Sequence, residues 1–167
     1  MAELAATSTS NNPLAPVIGL SFFAIASGFL MSLIPLSLPA FKLDENLAPW
    51  LASIFYFGLL IGATTIERIV VKMGHRLAFI LFLSLLIVSV LAQLTLPNTV
   101  NWLIARFVAG VAVAGVFVVV ESWLLMTNTA KSRAKRLGLY MTSLYGGSAV
   151  GQLAIGPLGT EGSTPYL

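Results

Sequence analysis

The chain has 167 residues, of which 57% are hydrophobic and 9% charged, whereas a soluble domain carries roughly 25% charged residues. That balance excludes water as the main solvent of the fold. The net charge of +3 comes from basic residues scattered between apolar runs, which make no continuous face for nucleic acid. With no cysteine and a single histidine, His75, the chain has neither a thiolate nor a second imidazole for a metal centre, and no cofactor is expected.

Residues 1–15, MAELAATSTSNNPLA, contain no Lys or Arg, so the basic start of a cleavable signal peptide is missing and a short disordered tail is expected. A hydrocarbon core about 30 Å thick is spanned by about 20 apolar residues in a helix, which sets the test for each apolar run that follows. The first goes from about Pro16 to Phe41, with Pro35 and Pro39 near its far end, where they kink or end a helix. After the polar turn FKLDENLAP, Trp50 opens a second run to about Ile66, its indole placed where interfacial aromatics prefer to lie. A charged loop from Glu67 to Arg76 leads to a third, uncharged run from about Leu77 to Leu96. PNTVN joins this to a fourth run, about Trp102 to Met126, and TNTAKSRAKR leads to a fifth, about Leu137 to Leu158, before GTEGSTPYL. The expected fold is therefore an all-α membrane protein with about five transmembrane helices.

Lys and Arg in short loops stay cytoplasmic during insertion. Arg68, Lys72 and Arg76 follow the second run, and Lys131, Arg133, Lys135 and Arg136 follow the fourth, while the opposite loops offer only Lys42. An inner-membrane protein with a cytoplasmic N-terminus is expected, and an odd fifth span leaves the C-terminus outside.

Within the runs, glycines and a few polar residues stand out. Gly58 and Gly62 in the second run, and Ser143, Gly147 and Gly151 in the fifth, are spaced by four, which gives small faces for close helix contact. In the fourth run Arg106, Gly110, Val113, Ala114, Phe117 and Glu121 fall on one face at about 100° per residue. A charge at the centre of a span costs about 2.5 to 3.5 kcal/mol on insertion scales, so Arg106 either snorkels to the nearby interface or serves a function. Its rise to Glu121 is about 22 Å at 1.5 Å per residue, so the two cannot pair. Glu121 is expected to meet Lys72, Arg76 or Arg133.

Two of these segments resemble the major facilitator superfamily. RFVAGVAVA (106–114) is similar to its fourth-helix pattern R-x-x-x-G-x-x-x-A, found chiefly in proton-driven transporters, with Arg106 and Gly110 in place. ERIVVKMGHR (67–76) resembles the loop between its second and third helices: Lys72, Gly74 and Arg76 match, and His75 stands where a second basic residue is usual. Glu67 departs from the pattern's glycine, and Val71 from an aspartate that helps latch the two transporter halves. The latter part of the fifth run, GQLAIGPLG, resembles an antiporter motif but has Gln152 at its required glycine. ESW (121–123) and SLYGGSAVGQ (143–152) are most similar to a bacterial branch, the YcaD-like transporters.

The resemblance covers nearly the whole chain from about Pro16. It implies a partial N-terminal six-helix bundle made of two inverted three-helix repeats, the second reaching helix 5. On this reading the chain is a truncated, proton-coupled secondary transporter. Its partners are the bilayer, a small organic solute and the missing remainder of the transporter, and Arg106, Gly110 and Glu121 lie on the transport pathway or in proton coupling. The alternative is a non-transporting module that assembles with a partner protein through the glycine faces of helices 2 and 5. An enzyme is not expected, because no Ser/His/Asp set or paired acids lie at plausible positions.

Overall fold

A computed structural model describes residues 14–125 and 130–158 of the chain. They form the helices α1 (Leu14–Ser37), α2 (Ala48–Met73), α3 (His75–Thr95), α4 (Thr99–Leu125), α5 (Ala130–Leu153) and the single turn α6 (Ile155–Leu158). No strand occurs among the described residues. The tail expected over residues 1–15 lies outside the described residues except for its last two, which begin α1.

The helices α1 to α4 are long and apolar enough to cross a membrane. Their outer faces are as greasy as their inner ones: Phe22, Tyr56, Leu60, Ile87 and Val88 are all exposed, as expected where lipid is the solvent. In α5 the first two turns carry Lys131, Arg133, Lys135 and Arg136, and an uncharged stretch begins only at Leu137. Part of the expected linker is thus helix, because Ala, Lys and Arg are strong helix formers. Arg136 donates to the Leu124 carbonyl at 3.4 Å, which ties the start of α5 to the last turns of α4.

The charged loop expected from Glu67 to Arg76 shrinks to one residue. α2 continues through Lys72 to Met73 and α3 starts at His75, with Gly74 between them at φ 80° and ψ 157°. That conformation belongs almost wholly to glycine. At the other end of the hairpin, Asn98 accepts from the Asn101 N–H at 2.8 Å, which caps α4. The Asn101 amide donates to the Ala92 and Leu96 carbonyls, and the Trp102 indole to the Gln93 carbonyl at 2.9 Å. Side chains thus satisfy the last carbonyls of α3.

α5 stops at Leu153 and α6 resumes at Ile155. Pro157 has no N–H to give the Leu153 carbonyl, and its ring crowds it, which places the break. α1 passes through Pro35 and ends at Ser37.

Packing is pairwise. α4 is the most buried span and lies against α2 on one side and α3 on the other, while α5 runs along α1. One apolar core, including Leu20, Phe55, Phe82, Val113 and Val116, spans the bundle. A smaller one, Ile34, Leu38, Leu47, Leu51 and Trp102, closes the end away from the basic residues.

Candidate functional site

Arg106 lies in the second turn of α4 and is 6% exposed. Its guanidinium carbon stands 4.3 Å from the centre of the Phe55 ring on α2, and one terminal nitrogen lies 3.4 Å from the Met31 sulfur on α1. The side chain is folded into the protein between three helices, where a cation over a desolvated ring is worth about 2 kcal/mol or more.

Gly110 makes this arrangement possible. A Cβ there would overlap the Phe55 carbonyl oxygen, so only glycine lets α2 come close enough for the Phe55 ring to cover the guanidinium one turn away. Gly58 and Gly62 act from the opposite side: a Cβ on Gly58 would overlap the Phe107 carbonyl oxygen, and one on Gly62 would lie 2.7 Å from the Ala114 Cβ. Val113 and Ala114 complete the buried face of α4.

The other glycine face is used inside the bundle too. A Cβ on Gly147 would lie 2.8 Å from the Ala24 Cβ, and one on Gly151 would overlap the Ile25 carbonyl oxygen of α1. Ser143 is half-buried, and α1 adds Gly28, which faces the Ser148 backbone. Both glycine faces are therefore occupied by helices of this chain, so neither is open to a partner protein.

Glu121 is exposed near the far end of α4. Lys72 and Arg76 are exposed around the Gly74 corner, His75 is half-buried, and the first turns of α5 lie at the same end of the bundle. The residues singled out by sequence thus fall into two places: Arg106 and Gly110 at the crossing of α1, α2 and α4, and the rest of the charged set at the basic end.

Sequence reasoning missed Met31, Phe55 and Gly115. Gly115 receives the Phe82 ring of α3 and lies outside the R-x-x-x-G-x-x-x-A spacing. For Phe55 a signal existed, since it shares the Gly58 and Gly62 face of α2. Among the described residues no group of His, Cys, Asp or Glu could hold a metal ion.

Glycine-mediated crossings in a bundle of helices long and apolar enough to cross a membrane define a polytopic helical membrane protein. The profile of the Major Facilitator Superfamily matches residues 17–167, and the chain belongs to that family. It is 32% identical over 143 residues to the uncharacterized MFS-type transporter YE1530 of Yersinia enterocolitica, covering 86% of this chain and 37% of that protein. It is 30% identical over 147 residues to the uncharacterized MFS-type transporter YcaD of Escherichia fergusonii, with the same coverage of both. The chain thus spans 37% of the length of these relatives. No solved structure matches it.

Proposed function

We propose that the chain forms part of a proton-coupled secondary transporter for a small organic solute in the bacterial inner membrane, with its N-terminus in the cytoplasm. The observation that carries this reading is the buried Arg106, held by Phe55 and Met31 where α1, α2 and α4 meet. Maintaining a cation at such a depth has a cost, and a fixed positive charge lowers the pKa of a nearby carboxylate and helps its proton leave. Among the described residues the acidic ones are Asp44 and Glu45 just before α2, Glu67 on α2 and Glu121 on α4. Glu121 and the basic corner at Gly74 lie where a conformational latch between α4, α5 and the α2–α3 junction would act.

The test is a chimera in which this chain replaces the matching part of the Escherichia fergusonii relative. Everted vesicles carrying it are screened with a panel of small organic solutes while a dye reports proton movement. At least one solute should move protons, and Arg106→Ala should abolish that signal while sparing solute exchange that needs no net proton movement. Normal, pH-unchanged transport by Arg106→Ala would remove the arginine from proton coupling. Glu121→Gln should alter the reactivity of cysteines introduced beside Gly74, and unchanged reactivity would reduce Glu121 to a solvated helix-end charge.

A further inference from the structure

Gln93, near the end of α3 away from the basic residues, is a buried glutamine with half of its amide in use. It is 1% exposed, and its nitrogen donates to the Ser89 carbonyl at 3.2 Å. That bond settles which end of the amide is nitrogen, since two oxygens would repel each other there. The side-chain oxygen is buried and has no hydrogen-bond partner. An acceptor left in this state costs stability, a cost that a leucine, common elsewhere in α3, would not bear.

The neighbouring donors are committed to other carbonyls. The Asn101 amide serves Ala92 and Leu96, the Trp102 indole serves the main chain of Gln93, and the Ser89 and Ser37 hydroxyls serve Leu86 and Ile34. The next turn of α4 remains. α3 and α4 run antiparallel, with Trp102 level with Gln93 and Gly115 level with Phe82. Because the Gln93 amide reaches one turn back to Ser89, it comes alongside the α4 turn beyond Trp102, from Ala105 to Ala109. Ala105 and Ala109 are buried, and their methyl groups offer an oxygen nothing. Arg106 follows Ala105 and carries five N–H donors on a long side chain.

We infer that Gln93 is a positioning residue for Arg106: its amide oxygen is a second seat for the guanidinium, taken when the side chain leaves Phe55 and Met31 and swings towards α3. In the first seat a ring and a sulfur hold the cation where α1, α2 and α4 meet. In the second, a charge-assisted hydrogen bond to Gln93 holds it on the α3 side of α4. The swing gives proton coupling its return step. A guanidinium facing a carboxylate keeps that group ionised, so a proton is taken up again once the positive charge is drawn away. Glutamine suits this exchange better than glutamate, whose charge would hold the cation permanently. The use of the second seat rests on the proton-coupling reading; the seat itself does not.

Gln93 and Gln152 are the glutamines of the chain, and Arg68, Arg76, Arg106, Arg133 and Arg136 its arginines. Gln152 lies near the opposite end of α5 from Arg133 and Arg136, so a close contact between the two residue types reports Gln93 and Arg106 alone. The measurement is solid-state NMR on the 167-residue chain in phosphatidylcholine bilayers, with isotope at the glutamine side-chain carbonyl carbon and the arginine guanidinium nitrogens. Carbon–nitrogen dipolar dephasing should reveal a minor population within about 4 Å, the separation across one hydrogen bond. Phe55→Leu weakens the first seat and should raise that population at least about fivefold, and Arg106→Leu should abolish it. No close population in Phe55→Leu would overturn the proposal. A Gln93 carbonyl near water protons and never near a guanidinium nitrogen would overturn it too, in favour of a buried water site. In the chimera, Gln93→Glu should silence the proton signal while solute exchange continues, and Gln93→Met should shift the pH dependence of that signal. Unchanged pH dependence in both variants would remove the positioning role. The NMR contact involves no transport, so its absence is separate from failure of the coupling reading.

Discussion

Arg106 is held by a ring and a sulfur, contacts whose energies can be separated. A cation over a desolvated ring contributes about 2 kcal/mol or more, so Phe55→Leu should destabilise the chain by about that amount. In an Arg106→Leu background the same substitution should cost much less, because a double-mutant cycle isolates the pairwise contact. Tryptophan fluorescence during thermal unfolding in detergent is suited to the measurement, since Trp102 is fully buried. Equal costs in both backgrounds would show that Phe55 acts only as core volume. Gly74 provides a second test at this scale. Its φ is 80° and an added Cβ would meet nothing within 4 Å, so Gly74→Ala introduces backbone strain without a clash and should cost about 1 to 3 kcal/mol. A neutral Gly74→Ala would mean that the α2–α3 corner relaxes freely.

Between elements, the decisive quantity is how near two backbones come. A side chain at Gly58 or Gly151 would overlap a main-chain carbonyl of the facing helix, which cannot swing aside as a rotamer can. Gly58→Val and Gly151→Val should therefore each destabilise by about 1 to 3 kcal/mol, the usual cost of overpacking, or more. Gly138 and Gly146 lie on the same α5 helix with no atom within 4 Å of an added Cβ. Gly146→Ala should stabilise by up to about 0.5 to 1 kcal/mol through helix propensity alone. If the two classes of substitution gave the same change in unfolding temperature, close approach would not be what holds α2 to α4 and α5 to α1.

For the whole molecule, charge asymmetry decides orientation. Seven Lys and Arg residues, Arg68, Lys72, Arg76, Lys131, Arg133, Lys135 and Arg136, lie at one end of the bundle against Lys42 at the other, so the basic end should be cytoplasmic. A reporter active only in the cytoplasm should work when fused after Arg136 and be silent after Leu167. The reverse pattern would invert the topology. Alternating access needs walls from two halves, so the 167-residue chain reconstituted alone should show no gradient-driven uptake above that of empty liposomes. Saturable uptake would mean that copies of the chain assemble into a carrier by themselves.

Much of the architecture is written along the chain, because crossing a bilayer is a requirement on consecutive residues: enough apolar length, charges left outside, proline and glycine at the ends. The apolar runs, the basic loops and the small faces at Gly58, Gly62, Gly147 and Gly151 could all be read in that way. So could the presence of Arg106 inside a span. The helix limits at the charged junctions could not, since Glu67 to Met73 and Ala130 to Arg136 satisfy helix and loop equally well until neighbouring turns are in place. Nor could the partners of Arg106. Met31 lies 75 residues away in sequence, and no local spacing relates it or Phe55 to α4; only the approach permitted by Gly110 brings them together. Which segments enter the membrane is legible from the order of residues, because the transfer energy of a helix is a sum over its own side chains. Which helix faces meet, and so what surrounds the buried cation, emerges only in the folded bundle, because contact between distant segments depends on the shapes of both surfaces at once.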